Sequence, residues 1–228
     1  TYPLLTEHFK TKNLKGFGIE NMPLGIIAAG VILHYLAETE HKQVGHIATI
    51  QRIEEDKFVW LDRFTIRNLE LVYSVQEGGV PLISLLDQTL TPMGARLLRK
   101  WMVLPLKELG AIQERQQGVA GLLELPDVLE ALINLLKPIG DLERLISKVA
   151  AGRINPRELV QLKRALQQIP AIKETLASHP AEILQKWADQ LNPCLHLVQK
   201  IESALRDDAP MLVHQGGIIK TGYLAELD

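Results

Sequence analysis

Residues 82–123 read LISLLDQTLTPMGARLLRKWMVLPLKELGAIQERQQGVAGLL and encode two successive helices. Thr91 is predicted to cap the first helix with its hydroxyl, and Pro92 suits the first helical position because its missing N–H is not needed there. Pro105 ends this helix, since the residue before a proline avoids helical backbone angles. Apolar residues recur at helical spacing opposite a basic side, namely Met93, Leu97, Leu98, Trp101 and Leu104 against Arg96, Arg99 and Lys100. The second helix carries one apolar flank, formed by Leu109, Ile112, Val119 and Leu122.

The rest of the chain is predicted to be mainly α, a multi-helix domain. A helix is expected over residues 23–40. One short β-hairpin is predicted near residues 47–61, where two runs rich in β-branched and aromatic residues flank a polar turn. An extended segment is predicted near residues 211–220, with a turn at Gly216-Gly217. The helix over 23–40 would turn one apolar stripe to the core, made of Leu24, Ile27, Ala28, Val31, Ile32 and Tyr35.

Start and stop signals divide the helical part into elements. Pro126 and Gly140-Asp141 each open a helix, and Gly152 is placed to end the second of these. The run Asn155-Pro156-Arg157-Glu158 predicts a capping box, with proline at the first helical position. Pro170 is expected to break or kink the helix that follows. The last helix is predicted over residues 181–205 with a kink at Pro193, and at about 1.5 Å per residue it would reach roughly 35 Å.

Composition and charge exclude several classes of protein. The 228 residues carry a formal net charge of −2, so there is no global basic field to attract nucleic acid. The single cysteine, Cys194, excludes an internal disulfide and fits a reducing cytosol. No apolar run approaches the roughly 18 residues of a membrane span. The chain opens at Thr1 and closes on an acidic YLAELD, which is typical of a first helical turn, so we expect a piece of a longer protein.

One basic cluster is the best candidate for contact with a ligand. Arg153, Arg157, Lys163 and Arg164 lie around one predicted helix, beside Arg144 and Lys148. Charged helix faces are usually only solvated faces. The functional alternative is a weak contact with phosphates, which would depend on salt and ignore base sequence.

Other patterns do not add up to a chemical site. Residues 216–222, GGIIKTG, share glycines, a lysine and a threonine with a phosphate-binding loop, but the spacing is wrong. His34, His41 and His46 lack the spacing of zinc ligands on a helix. Asp141 and Glu143 are predicted to point to different helix faces, as a cap and a surface charge. We therefore predict no catalytic, cofactor-binding or metal-binding residue in this chain.

Five segments, taken in order, resemble the MutS family of DNA mismatch-repair proteins. LLDQTLTPMGARLLRKWMVLPL followed by ERQQGVAGLLE resembles the family's core, or lever, domain. KNLKGFGIENMPLGIIAAGVILHYLAETE, residues 12–40, resembles the end of the connector domain, and FVWLDRFTIRNLEL, residues 58–71, resembles the start of the core. Residues 140–170, beginning GDLERL and containing NPRELV, resemble the central core helices. GGIIKTGYLAELD, residues 216–228, resembles the approach to the clamp.

The resemblance implies a domain organisation and a role. Residues 1–46 would end the connector domain, residues 47–206 would form the core, and residues 207–228 would begin the clamp arm. The core would link a DNA-contacting clamp to an ATPase domain. The longer protein would be a cytoplasmic, nucleoid-associated homodimer that binds mismatched duplex DNA, uses ATP and Mg²⁺, and recruits repair factors such as MutL. The competing hypothesis is a self-standing all-α scaffold that acts through protein contacts alone.

Overall fold

The computed structural model describes residues 1–39 and 44–226, and their regular structure is helical. This confirms the predicted mainly α class. Contacts divide the chain into two units, Thr1–Glu54 with Arg144–Ile154, and Glu55–Glu143 with Asn155–Asp228. The helices are α1 Tyr2–His8, α2 Pro23–Glu38, α3 Arg63–Asn68, α4 Leu82–Leu86, α5 Pro92–Val103, α6 Leu109–Glu124, α7 Pro126–Leu136, α8 Leu142–Ala150, α9 Pro156–Leu166, α10 Ile169–Ala177, α11 Glu182–Gln190 and α12 Leu195–Ala204. No described helix is long and apolar enough to cross a membrane.

The first unit packs α1 against α2, but not through the predicted stripe. The buried side of α2 consists of Ile26, Gly30 and Leu33, and the stripe predicted to face inward is largely exposed. The prediction of this face was wrong because α2 is apolar on almost every side, so periodicity could not select the face that packs. The predicted end at residue 40 lies outside the described residues. The other buried apolar side chains of this core are Leu5, Leu14 and Ile19.

The second unit has its main core among α6, α7, α10 and α11. Two glycines, Gly118 and Gly121, are the buried residues of α6. A Cβ on Gly118 would lie 2.2 Å from Cη2 of Trp187 on α11, so this glycine lets α6 approach α11 closely. The predicted apolar flank of α6 includes Leu109 and Val119, which are exposed. The core itself consists of Leu132, Ile139, Ala165, Ile172, Leu176, Ile183, Leu184 and Ala188.

The predicted β-hairpin near residues 47–61 does not form. Ile47 and Ile50 pack as loop residues against the core of the first unit. Phe58 instead forms an isolated antiparallel bridge with Leu106, beyond the end of α5. The amide of Val59 donates to the carbonyl of Pro105 at 2.8 Å. The β-branched residues correctly indicated an extended backbone at Phe58, but the pairing partner is remote in sequence.

The predicted helix over residues 181–205 is two helices, α11 and α12. They contain 9 and 10 residues, so each is about 15 Å long rather than roughly 35 Å. Pro193 breaks the helix completely because it has no N–H to donate and its ring crowds the preceding turn. Cys194 then takes a left-handed conformation with φ 48°, and its amide donates to Oδ1 of Asn192 at 3.0 Å. At Pro170 the predicted interruption is confirmed, since α9 ends at Leu166 and this proline lies at the start of α10.

The segment predicted as extended near residues 211–220 is extended only at its end. Val213–Gln215 forms a short 3-10 turn. Ile219 then pairs with Leu205 in an antiparallel bridge. Gly216 and Gly217 have φ values of 68° and 66°, which glycine adopts without steric cost, so the predicted turn is confirmed there. The domain limits 1–46, 47–206 and 207–228 stay a prediction.

Candidate nucleic-acid interface

The candidate basic cluster is built on α9, whose start is fixed by local hydrogen bonds. Oδ1 of Asn155 accepts from the amide of Glu158 at 2.9 Å. The Glu158 carboxylate accepts from the amide of Asn155 at 3.2 Å, which completes the predicted capping box. The register of α9 is thereby set. Arg157 and Arg164, seven residues apart, are both exposed.

Lys163 differs from its neighbours because it is buried. Only 3% of this residue is exposed. Its ammonium group donates to Oδ1 of Asp207, in the segment that follows α12. A lysine is almost never fully buried without such a partner. The Lys163 charge is thus engaged inside the protein and does not face an external phosphate.

Asp207 reaches α9 because the chain after α12 folds back onto that helix. The amide of Arg206 donates to the carbonyl of Ile218, and the amide of Lys220 donates to that of Ala204, both at 2.9 Å. Beneath this pairing lies a cluster of buried apolar residues, Val160, Leu205 and Ala209. We call the whole arrangement, residues 204–220 with the facing side of α9, the α9 junction.

Both carboxylates of the α9 junction have cationic partners. The hydrogen bond from Lys163 lowers the pKa of Asp207, and the positive charges of Lys163, Lys220 and Arg164 act in the same direction. The guanidinium of Arg206 donates to Asp208 at 2.9 and 3.0 Å and lowers the pKa of that carboxyl. Both groups are therefore held in the ionised form.

The two exposed arginines of α9 share a cavity of about 420 Å³ with these carboxylates. Nη2 of Arg164 also donates to the main-chain carbonyl of Asp207 at 3.2 Å. Two positive and two negative side chains line the cavity, so its charge is balanced rather than basic. The lining residues are Arg157, Val160, Gln161, Arg164, Asp207, Asp208, Ala209 and Pro210. Such a surface fits at most a weak contact with phosphates.

The fourth predicted residue, Arg153, is exposed and belongs to the first unit. It follows the left-handed Gly152, where φ is 64°, and α8 ends as predicted. The amide of Arg153 donates to the carbonyl of Lys148 at 2.9 Å, which closes the helix terminus. Its side chain therefore projects from a well-defined position.

The pair of Lys163 and Asp207 leads to a first prediction. Lys163→Met should leave the thermal midpoint nearly unchanged, because an apolar side chain of similar length replaces a buried ion that had to be dehydrated. Asp207→Asn should lower the midpoint, since it leaves the buried ammonium without a counter-charge. Thermal unfolding of both variants at neutral pH, followed by circular dichroism, measures the difference. An equal loss in both variants would contradict this account.

The same pair predicts a dependence on pH. Because the pKa of Asp207 is lowered in the folded state, its stabilising contribution is present above the ordinary value of 3.8 and is lost as pH falls through the lowered value. The difference between wild type and Asp207→Asn should therefore vanish in acid. A difference that persists below the lowered pKa of Asp207 would show that the charge is not its cause.

Asp141 and Glu143 share one binding partner, Arg96. Arg96 binds both, with Nη2 at 2.6 Å from Oδ1 of Asp141 and Nε at 2.7 Å from Oε2 of Glu143. Asp141 directly precedes α8, which is the predicted cap position, and Glu143 is exposed as a surface charge, although the prediction of different faces did not foresee a shared partner. They bind one arginine, in an arrangement that has no feature of an acid pair in catalysis.

The remaining candidates show no assembled site. His34 pairs with Glu38 at 3.4 Å on exposed α2, and His41 lies outside the described residues. Over the described ranges, no group of three His, Cys, Asp or Glu side chains is close enough to hold a metal ion. Cys194 is a partly buried free thiol.

Comparison with known proteins connects this helical chain with DNA repair. A family model described as MutS domain III matches residues 64–227. The DNA mismatch repair protein MutS of Cytophaga hutchinsonii is 59% identical over 228 residues, which are 100% of this chain and 27% of that protein. The protein of the same name from Bacteroides fragilis is 51% identical over 224 residues, or 98% of this chain and 26% of that protein.

The chain thus spans about a quarter of the length of these relatives. The family match covers more than half of the chain and includes the α9 junction. The predicted resemblance is confirmed, and the chain belongs to the MutS domain III family.

Proposed function

We propose that this chain is the core, or lever, region of a DNA mismatch-repair ATPase, and that it links a DNA-contacting clamp to an ATPase domain. The observation that supports this role most strongly is the α9 junction. There the chain leaving α12 is held to α9 by the ion pair of Lys163 with Asp207 and by apolar contacts. This anchored segment includes the first part of residues 207–228, which we propose to be the start of the clamp arm. The family match favours this role over the self-standing scaffold.

A lever must transmit a change of geometry without bending at its attachment. The α9 junction combines main-chain hydrogen bonds, a buried lysine and packed apolar side chains, and packed interfaces of this kind have discrete arrangements rather than a continuous range. A change at one end of the core would therefore displace the arm as a unit. Coupling between the ATPase and the clamp would then be a difference in free energy between two such arrangements.

The activities of the longer protein are part of the proposal. We propose that it binds mismatched or looped duplex DNA as a homodimer, hydrolyses ATP with Mg²⁺ and recruits repair factors such as MutL. Its location would be the cytoplasm, next to the nucleoid. We assign no catalytic, cofactor-binding or metal-binding residue to this chain, which we propose is not itself an enzyme.

Direct contact of this chain with DNA would be limited to phosphates. We propose Arg153, Arg157 and Arg164 for this contact, because their side chains are exposed. Lys163 is left out of the set, since its ammonium group is buried against Asp207. Three separate arginines would contribute affinity but no preference for a mismatch, because phosphates are the same in every sequence.

The second prediction concerns DNA binding by the 228-residue chain alone. Filter binding at low salt should show weak retention that is equal for matched and mismatched duplexes, together with no ATP hydrolysis. The dependence of log affinity on log salt should become shallower by about 2 in Arg157→Gln/Arg164→Gln, because about 0.9 counterions are released per neutralised phosphate.

A control with the same loss of charge is Arg52→Gln/Lys200→Gln, which removes two exposed cations elsewhere. This variant should keep the slope of the wild type. Tight, mismatch-selective retention by the chain alone would overturn the proposed division of labour, because recognition would then reside in the lever.

A further inference from the structure

A second cavity is formed by residues far from the α9 junction along the chain, and its side chains suggest a separate binding site. It has a volume of about 580 Å³ and lies between α3 and the loop that follows it. We call it the arginine cleft, and its lining residues are Arg63, Ile66, Arg67, Tyr73, Ser74 and Val75. We propose that the arginine cleft binds an acidic peptide segment of a partner protein, with a carboxylate on the arginines and an apolar side chain beside Val75.

The cations of the cleft are arranged for a shared anion. Arg63 and Arg67 are four residues apart on α3 and so lie on the same face. Both are exposed, and neither forms an ion pair with any residue in the described part of the chain. A guanidinium presents a planar fork of donors that matches a carboxylate. Two such forks facing one cavity are suited to a carboxylate ligand.

Arg99 adds a third basic group at the edge of the cleft, where it lies against Tyr73. The guanidinium of Arg99 lies 5.7 Å from the centre of the Tyr73 ring, and its Nη1 donates to the Tyr73 hydroxyl at 3.4 Å. Asp87 lies near Arg99 and offsets part of its charge. The lining of the cleft itself carries two cationic side chains, Arg63 and Arg67, and no acidic one.

The loop that forms the other wall is held in place before any ligand arrives. Glu70 has a left-handed backbone with φ 47°. Its Oε1 accepts from the amide of Val75 at 2.8 Å and from the hydroxyl of Ser74 at 3.3 Å. The carbonyl of Glu70 also accepts from the amide of Leu82 at 2.9 Å. A non-glycine residue stays in this conformation only when its surroundings enforce it, and such strain is concentrated at functional sites.

Two acidic residues lie close to the arginines in sequence, Asp62 directly before Arg63 and Glu70 after Arg67. Oδ1 of Asp62 accepts from the amide of Thr65 at 2.6 Å, and the Glu70 carboxylate is bound by the loop. No ion pair in the described part of the chain joins either carboxylate to Arg63 or Arg67. The wall is thus ordered before binding, which lowers the entropy lost when a ligand binds.

The rim of the cleft favours a peptide over a nucleic acid. Two large side chains of the lining stand in solvent beside the arginines, with Tyr73 73% and Val75 53% exposed. Arginine and tyrosine beside exposed apolar groups are the composition of a protein interface centre. A nucleic-acid backbone instead requires a track of cations, and the whole chain has a net charge of −2. A peptide with an acidic side chain next to an apolar one could place the first on the arginines and the second beside Val75.

The third prediction tests this assignment. A short peptide that alternates Asp with Leu is titrated into the isotopically labelled chain, and the Nε–Hε signals of the arginine side chains are followed by nuclear magnetic resonance. We expect saturable shifts of two signals, those of Arg63 and Arg67. These two signals are identified because they are missing from the spectrum of Arg63→Gln/Arg67→Gln. In that variant the dissociation constant, measured by fluorescence anisotropy, should rise at least about tenfold, and added salt should weaken binding to the wild type.

Three comparisons make the test decisive. Arg52→Gln/Lys200→Gln removes the same charge from exposed positions elsewhere and should bind as the wild type does. A peptide with Asn in place of Asp should not bind, and duplex DNA should not shift the two arginine signals. The proposal is overturned if the Asp-Leu peptide produces no saturable shift, if both double variants lose equal affinity, or if DNA shifts these two signals at lower concentration than the peptide. Equal thermal midpoints of the two double variants show that neither result reflects unfolding.

Discussion

Replacing Gly118 with valine is expected to lower the free energy of unfolding by about 1–3 kcal/mol, the usual cost of overfilling a packed core. A Cβ at this position would lie only 2.2 Å from Cη2 of Trp187 and 2.8 Å from Cζ2. The Trp187 ring packs against the main core of the second unit, so it cannot move without disturbing its other contacts. A glycine inside a helix ordinarily costs stability, and here that cost is offset by the approach of the indole. Urea denaturation of the two proteins gives the difference.

A matched control is available in the same helix. Nothing lies within 4 Å of a Cβ built on Gly110, so Gly110→Val should change stability by no more than about 0.5 kcal/mol. Shortening the indole should relieve the clash, and Gly118→Val/Trp187→Leu should be at least about 1 kcal/mol more stable than the sum of the single changes predicts. Equal losses at Gly118 and Gly110 would show that helix propensity, rather than the contact with Trp187, sets the cost.

Helix ends were predictable because the groups that make them are neighbours in sequence. Oγ1 of Thr91 accepts from the amide of Gly94 at 3.1 Å, and Asn155 and Glu158 bond each other across one turn. Gly152 provides the left-handed residue that closes α8. Each of these features depends on at most four consecutive residues, so short patterns suffice to find it.

Helix faces were less predictable because they depend on a partner elsewhere in the chain. In α6 the sequence pattern selected the large apolar residues, whereas the structure buries Gly118 and Gly121. A glycine carries no hydrophobic signal, and its value arises only when Trp187 and Leu184 are brought against it. The hairpin failed for the same reason, since Phe58 found its partner at Leu106 rather than across the nearest turn.

In the candidate site, too, the features set by neighbouring residues were predictable and those set by remote partners were not. Sequence alone located the arginines of α9, but it could not separate Lys163 from them. The partner that buries Lys163 is Asp207, 44 residues away. The arginine cleft also went unnoticed, because Arg63 and Arg67 gain meaning only from a loop held by Glu70. The left-handed φ of a glutamate is a property of the folded chain and leaves no local pattern.

The largest single loss of stability is expected at Leu184, where truncation to alanine should cost about 3–5 kcal/mol. Its side chain is fully buried, at 0% exposure, in the core shared by α7, α10 and α11. Removing it loses both the transfer free energy of the apolar atoms and the contacts across the remaining cavity. Gly121 has no side chain that could move into the space, so collapse of the cavity is restricted. Urea denaturation, with an unchanged slope against denaturant, would measure the loss.

Two further variants separate the cavity from a general effect of losing a leucine. Leu184→Met keeps most of the volume and should cost less than about 1.5 kcal/mol. Leu195→Ala removes a leucine that is 55% exposed on α12 and should cost about 0.5 kcal/mol or less. If Leu184→Ala and Leu195→Ala were equally destabilising, α11 would not be the centre of the core. The break at Pro193 makes this comparison important, because a domain made of short helices derives its stiffness from the packing between them and not from the length of one helix.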